Sequence, residues 1–225
     1  MRSSRRRHIL VPIMPNSYDR VDRLTAYHEA GHVTALVATG LDGFEHVAIF
    51  GIDDPEAVES GLLGRTRRYM ASPEFLLQKY DALVQLRAGH EADPDLPSIA
   101  DPGPFHYAEV LYNLAGFAAE FNSGLNEYML DLVDLVHHIG DKMLEDDPDA
   151  LNADTLLEPL DIGIKKAIGD ALTLIRDAEV WAATERLTAR LLEVKRLKAD
   201  EVMELPGFEA LYRSKLDLVA EMVAS

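Results

Sequence analysis

Apolar side chains recur at helical spacing along most of this chain and alternate in only one short region. The first helical run extends from about Tyr18 to Thr39, with Asn16 or Ser17 available as its cap and Gly40 as its stop. Glu45 to Phe50 is rich in strand-forming residues and is broken by Gly51-Ile52-Asp53-Asp54-Pro55. Gly61 to Tyr69 is the expected partner strand. Helical spacing resumes from Pro73 through Phe75, Leu76, Tyr80, Leu83, Val84 and Leu86 to about Gly89, and a proline-punctuated loop spans 90–104. A small-residue helix follows from His106 to Asn122, with Ala115, Gly116, Ala118 and Ala119 allowing close approach of a neighbour. The stretch Tyr128 to Leu144 is apolar over too broad an arc for a surface helix, which predicts a central position. Helices are expected at about Leu160–Arg176, Ala178–Lys195 and Phe208–Ala224, with Trp181 filling the core. The pattern predicts a mainly α fold with a small β-hairpin or sheet beside the first helix. Residues 1–15 read as a basic tail and 16–225 as one domain.

Within the first helix lies Ala26-Tyr27-His28-Glu29-Ala30-Gly31-His32, an H-E-x-x-H sequence. Residues four apart share a helix face, so His28 and His32 project in parallel and can close on one metal ion. Leu24, His28, Gly31 and Ala35 form one stripe, which sets His28 on the face due for burial. Buried imidazoles and a carboxylate are costly unless something satisfies them, and a metal does so. Glu29, directly after the first histidine, is placed to act on a water that a zinc ion activates. These residues predict a zinc-dependent hydrolase. The bland alternative is a helical interaction module whose histidines bind no catalytic metal.

Composition narrows the choice. With no cysteine among 225 residues, any zinc must be held by His, Asp or Glu, and no disulfide framework exists. A formal net charge of −17 argues against nucleic acid as a partner, with Arg5-Arg6-Arg7 a local exception. No apolar run approaches the roughly 20 residues that span a bilayer, and no secretory signal is evident, so a cytoplasmic location is expected. Glu145-Asp146-Asp147-Pro148-Asp149 reads as a solvated acidic loop, without the glycine of a calcium-binding EF-hand.

Thr25 to His32 resembles the active-site helix of the FtsH-type ATP-dependent zinc metalloproteases, with their A-x-H-E-A-G-H signature. Leu114-Ala115-Gly116-Phe117-Ala118-Ala119-Glu120 is similar to the L-A-G-R-A-A-E-E helix of that peptidase domain. His46-Val47-Ala48-Ile49-Phe50 with Gly61-Leu62-Leu63-Gly64 is similar to its strand pair, and Ala171 to Leu192 to its last helices. The resemblance implies a peptidase domain that packs the small-residue helix behind the metal. It further implies peptide or unfolded-protein substrates, ring-like self-association and an ATPase that feeds it. No G-x-x-x-x-G-K-[ST] phosphate loop occurs here, so that ATPase would be a separate chain.

A catalytic zinc takes a third protein ligand. The resemblance implies an aspartate after the small-residue helix, and Asp131 and Asp134 stand at comparable distance. Without the resemblance, either reads as a residue at a helix start. Asp161 and Glu120 are reserves, and His137 and His138 are candidates for supporting the ligands or an oxyanion. The expected function is zinc-dependent hydrolysis of flexible polypeptides with Glu29 as general base. The alternative is an inactive zinc-binding relative that serves as an adaptor.

Overall fold

The computed structural model describes residues 20–39, 43–51, 53–68, 103–160 and 162–214. The expected basic tail, caps Asn16 and Ser17, stop Gly40 and helix at 73–89, most of the expected loop at 90–104, Asp161 and residues 215–225 lie outside them.

Two long helices form the centre. Helix α1 (Arg20–Thr39) is buried almost all round beyond Thr25, because its side chains there are mostly small or apolar. Helix α3 (Gly103–Ser123) crosses it through the small-residue set anticipated at Ala115 to Ala119. The approach is so close that a Cβ on Gly31 would collide with the Ala115 carbonyl oxygen and the Ala119 methyl. A backbone oxygen cannot swing away as a flexible side chain can, so glycine is required here.

Antiparallel strands β1 (Phe44–Ile49) and β2 (Gly64–Arg68) lie beside α1. Between them sits α2 (Pro55–Ser60), started by Asp54, whose carboxylate accepts from the Glu56 amide, and ended by Gly61 at φ 73°. The sheet gains a third strand that the apolar pattern did not predict, β3 (Arg196–Lys198), giving the order β2-β1-β3. Three residues are too few to show alternation.

Helix α6 (Ile164–Arg176) packs on α3 and buries Ile168, Leu172 and Ile175, and the Tyr107 hydroxyl donates to Asp170 Oδ2. Helix α7 (Ala178–Val194) covers the other side of α1, where Thr34 and Thr184 hydroxyls bond at 3.0 Å. Trp181 lies at the edge of this core, stacked on Tyr27 with ring centroids 5.5 Å apart. Short helices α8 (Ala199–Met203) and α9 (Phe208–Ser214) follow.

Two expectations need correction. The helix expected at Tyr128–Leu144 begins only at Leu132 (α4, Leu132–Leu144) and is peripheral: Leu135 and Ile139 alone are fully buried in it. Tyr128, Leu130 and Leu144 are each more than 80 % exposed. An Asp131–Asp134 capping box starts the helix there, leaving the preceding apolar residues in irregular chain. The acidic stretch before residue 150 is also more than a loop, because Asp147 caps a further helix, α5 (Pro148–Leu157), through the amides of Asp149 and Ala150. No helix among the described residues is long and apolar enough to cross a membrane.

Candidate metal centre

The H-E-x-x-H turn of α1 faces α3 on one side, β2 on another and the first turn of α5 on a third. His28 and His32 point their Nε2 atoms at each other, 2.9 Å apart. Asp149 of α5 completes a triangle, with Oδ2 at 3.3 Å from His28 Nε2 and 3.1 Å from His32 Nε2. Donors that sit about 2.0–2.1 Å from a tetrahedral ion stand about 3.3–3.4 Å apart, so this triangle is close to that size.

Hydrogen bonding on the far side of each ring settles what the triangle can do. His32 Nδ1 lies 2.8 Å from the Tyr112 carbonyl oxygen, which can only accept, so the proton is on Nδ1 and Nε2 offers a lone pair. His28 Nδ1 likewise donates to Glu120 Oε1 at 2.6 Å. Once the second proton of His28 is displaced, two imidazole lone pairs and a carboxylate converge from buried or half-buried positions. Carboxylate and carbonyl acceptors behind histidine ligands are the usual way to orient the rings and raise their basicity. The group His28, His32 and Asp149 could hold a metal ion.

The electrostatics favour a positive charge at the same spot. Burial works to lower the His28 pKa, yet hydrogen bonds to Asp149 and Glu120 outweigh it and leave the ring well above its ordinary value. Burial works to raise Asp149, and the charges and hydrogen bonds of His32 and His28 override it, holding the carboxyl far below the usual range. Gly116 of α3 closes the floor: a Cβ there would come within 2.7 Å of both Nε2 atoms. The close approach of α3 therefore leaves room for an ion only where a side chain is missing.

Glu29 is 6 % exposed, and its Oε2 accepts from the Thr66 hydroxyl of β2 at 2.7 Å. Burial pushes its pKa up, against the pull of His32 and His28. A Cβ at Gly64 would strike the Glu29 carboxylate, so β2 runs directly over this acid. A cleft of about 540 Å³ opens above these groups, with Leu63, Phe117, His138 and Lys142 among its walls. Burial, above all, also pushes the phenol of Tyr112 up, with Asp149 adding to it.

The positions anticipated from sequence divide clearly. His28, Glu29 and His32 are brought together. Asp131 and Asp134 are not beside them: Asp131 accepts from the amides of Val133 and Asp134, while Asp134 accepts from those of Leu130 and Asp131. Both carboxylates are committed to capping α4, and Asp149 occupies the place expected of them. Glu120 stands behind His28 as its hydrogen-bond acceptor. His138 lines the cleft edge-on to Phe117, with centroids 6.0 Å apart, whereas His137 is exposed. Asp149 was missed because an acidic run around a proline reads as solvated loop. The available signal was Asp147-Pro148, a cap followed by proline at the first helical position.

No protein-family model matches the chain, and no curated protein matches it.

Proposed function

We propose that this chain is a zinc-dependent metallopeptidase, a relative of the FtsH-type peptidase domain. One observation carries the reading: two histidines whose Nδ1 protons are already spent aim their lone pairs, with Asp149, at a single point next to a buried glutamate. Two nitrogens and one carboxylate oxygen, with an open cleft beside them, suit a catalytic zinc site, and the absence of cysteine excludes a thiolate cage. Zinc held there would supply Lewis acidity, lowering the pKa of a water and polarising the scissile carbonyl.

The remaining work falls to the chain's own groups. Glu29, its carboxylate fixed by Thr66, takes a proton from the attacking water and delivers it to the leaving nitrogen. The raised pKa of Glu29 brings the acid nearer to neutrality, where both halves of that transfer are favourable. Among the described residues β2 is an edge strand of the sheet, and an extended peptide laid along it would pass over Glu29. Such a substrate must already be extended, so flexible or unfolded polypeptides are the expected class.

The test is a pair of proteins. Wild type purified in the presence of zinc is expected to retain the ion and cut casein or a peptide library. Glu29→Gln should keep the ion and lose cleavage. Equal activity in both would overturn the role of Glu29. A zinc-loaded wild type that cuts nothing would leave an adaptor in place of an enzyme.

A further inference from the structure

One polar group at the cleft has no part in the scheme above. Tyr112 precedes Gly116 by one turn of α3 and shares its face. Its carbonyl holds His32 Nδ1, and its ring lies 4.9 Å from the His32 ring, tilted by 37°. Only 8 % of the residue is exposed, and it lines the cleft together with Glu29, Thr66 and Asp149. Among the described residues no group hydrogen-bonds to its hydroxyl.

The strand that restrains Glu29 also restrains this ring. Gly64, Thr66 and Arg68 alternate along one face of β2. Gly64 and Thr66 crowd Glu29, and the Arg68 guanidinium lies 5.0 Å from the Tyr112 ring centroid. Arg68 is anchored in turn by a two-pronged pair with Glu109, one turn earlier on α3. A single strand therefore places a base near one end and a phenol near the other, along the line an extended peptide would follow.

We infer that the Tyr112 hydroxyl is a catalytic donor, giving a hydrogen bond to the scissile carbonyl oxygen as that oxygen becomes negative; this rests on the peptidase reading. As the water oxygen bonds to the carbonyl carbon, the C=O π pair moves onto oxygen and the water proton passes to Glu29. Tyr112 keeps its proton throughout and donates through it. When the C–N bond breaks, the electron pair on oxygen re-forms the carbonyl and the proton held by Glu29 leaves on the amine nitrogen. A donor fixed before the charge appears needs no reorganisation when it does, which makes such groups effective.

Tyr112→Phe tests this, because it keeps the ring against His32 and Arg68 and removes one oxygen. Zinc content and melting temperature are expected to match wild type, while kcat falls about a hundredfold, the usual effect of losing one such donor. Affinity for a phosphinic peptide, which imitates the tetrahedral state, should fall tenfold or more by calorimetry. Affinity for an uncleaved substrate peptide should be the same in Glu29→Gln and in Glu29→Gln/Tyr112→Phe. Unchanged kcat and phosphinate affinity, an equal loss for substrate and phosphinate, or loss of zinc would each overturn the inference while the peptidase reading stands. Failure of that reading shows separately, in a zinc-loaded wild type that hydrolyses nothing, and the inference falls with it.

Discussion

The starts of α4 and α5 are chemically near twins, yet only one brings a carboxylate to the candidate metal centre. Each opens with an aspartate at the cap and carries a second within the first turn: Asp131 and Asp134 in α4, Asp147 and Asp149 in α5. In α4 the second aspartate turns back on its own chain, accepting from Leu130 and Asp131 amides. In α5 the corresponding amides, those of Asp146 and Asp147, already bond to the Met143 and Lys142 carbonyls, and Asp149 is left for His28 and His32. A carboxylate becomes a candidate ligand when its own backbone does not consume it and the fold carries it to the site. Local sequence specifies the first condition and tertiary packing the second.

The comparison breaks most decisively at Asp149. Asp149→Ala is expected to abolish tight zinc binding, as His28→Ala and His32→Ala should. A structural zinc site is worth roughly 10–16 kcal/mol over four ligands, so one ligand represents roughly 3 kcal/mol, a hundredfold or more in affinity. Zinc titration against a competing chelator reads this directly. Wild-type affinity in Asp149→Ala would return the third-ligand role to another acid.

Gly116→Ala should rank next. Its methyl would press on both Nε2 atoms, and the rings are held from behind by Glu120 and Tyr112. Zinc occupancy is expected to fall at least tenfold with helical content retained. Gly140→Ala in α4, where a Cβ meets nothing within 4 Å, is the control and should stabilise the chain by about 0.5–1 kcal/mol. Glu120→Gln, which keeps the shape and removes the charge behind His28, should weaken zinc by about 10–100-fold.

Much of this centre is legible in the sequence because it is local. Helical geometry alone puts His28 and His32 on one face, and the small residues from Ala115 to Ala119 announce a close-packed partner helix. What escapes is set by distance along the chain. Asp149 is 117 residues from His32, and no periodicity connects them. The peripheral position of α4 escapes for a different reason: hydropathy records which residues are apolar, and the capping box decides where the helix begins and hence which of them turn inward. Strand β3 is too short to carry a signal of its own.

Protonation offers a graded measure of the same contrast. The folded-state pKa of His28 is raised above the ordinary 6.5, so its contribution to the metal-free fold is fully present below pH 6.5. That contribution is lost as the pH rises through the higher folded value. Zinc needs the unprotonated ring, so its binding strengthens over the same interval. The rise in melting temperature on adding zinc should therefore grow as pH increases across and above 6.5. A zinc-induced shift that is flat with pH would mean that the ion does not displace a proton from this cluster.

The smallest effect sharpens the comparison from its other side. Asp131→Ala removes the acceptor for two amides at the start of α4 and should cost about 1 kcal/mol in denaturant unfolding, the usual value of such a cap. Asp134→Ala should cost no more, since the amides of Leu130 and Asp131 that it serves lie in exposed chain where water can replace it. Neither carboxylate lies against the histidines, so zinc affinity and peptide cleavage should both match wild type. The informative quantity is thus a ratio: stability lost with the metal untouched at α4, and metal lost at the first turn of α5. If Asp131→Ala or Asp134→Ala emptied the site, the division of labour between the two helix starts would be wrong, and a rearrangement bringing α4 to the histidines would have to accompany metal binding.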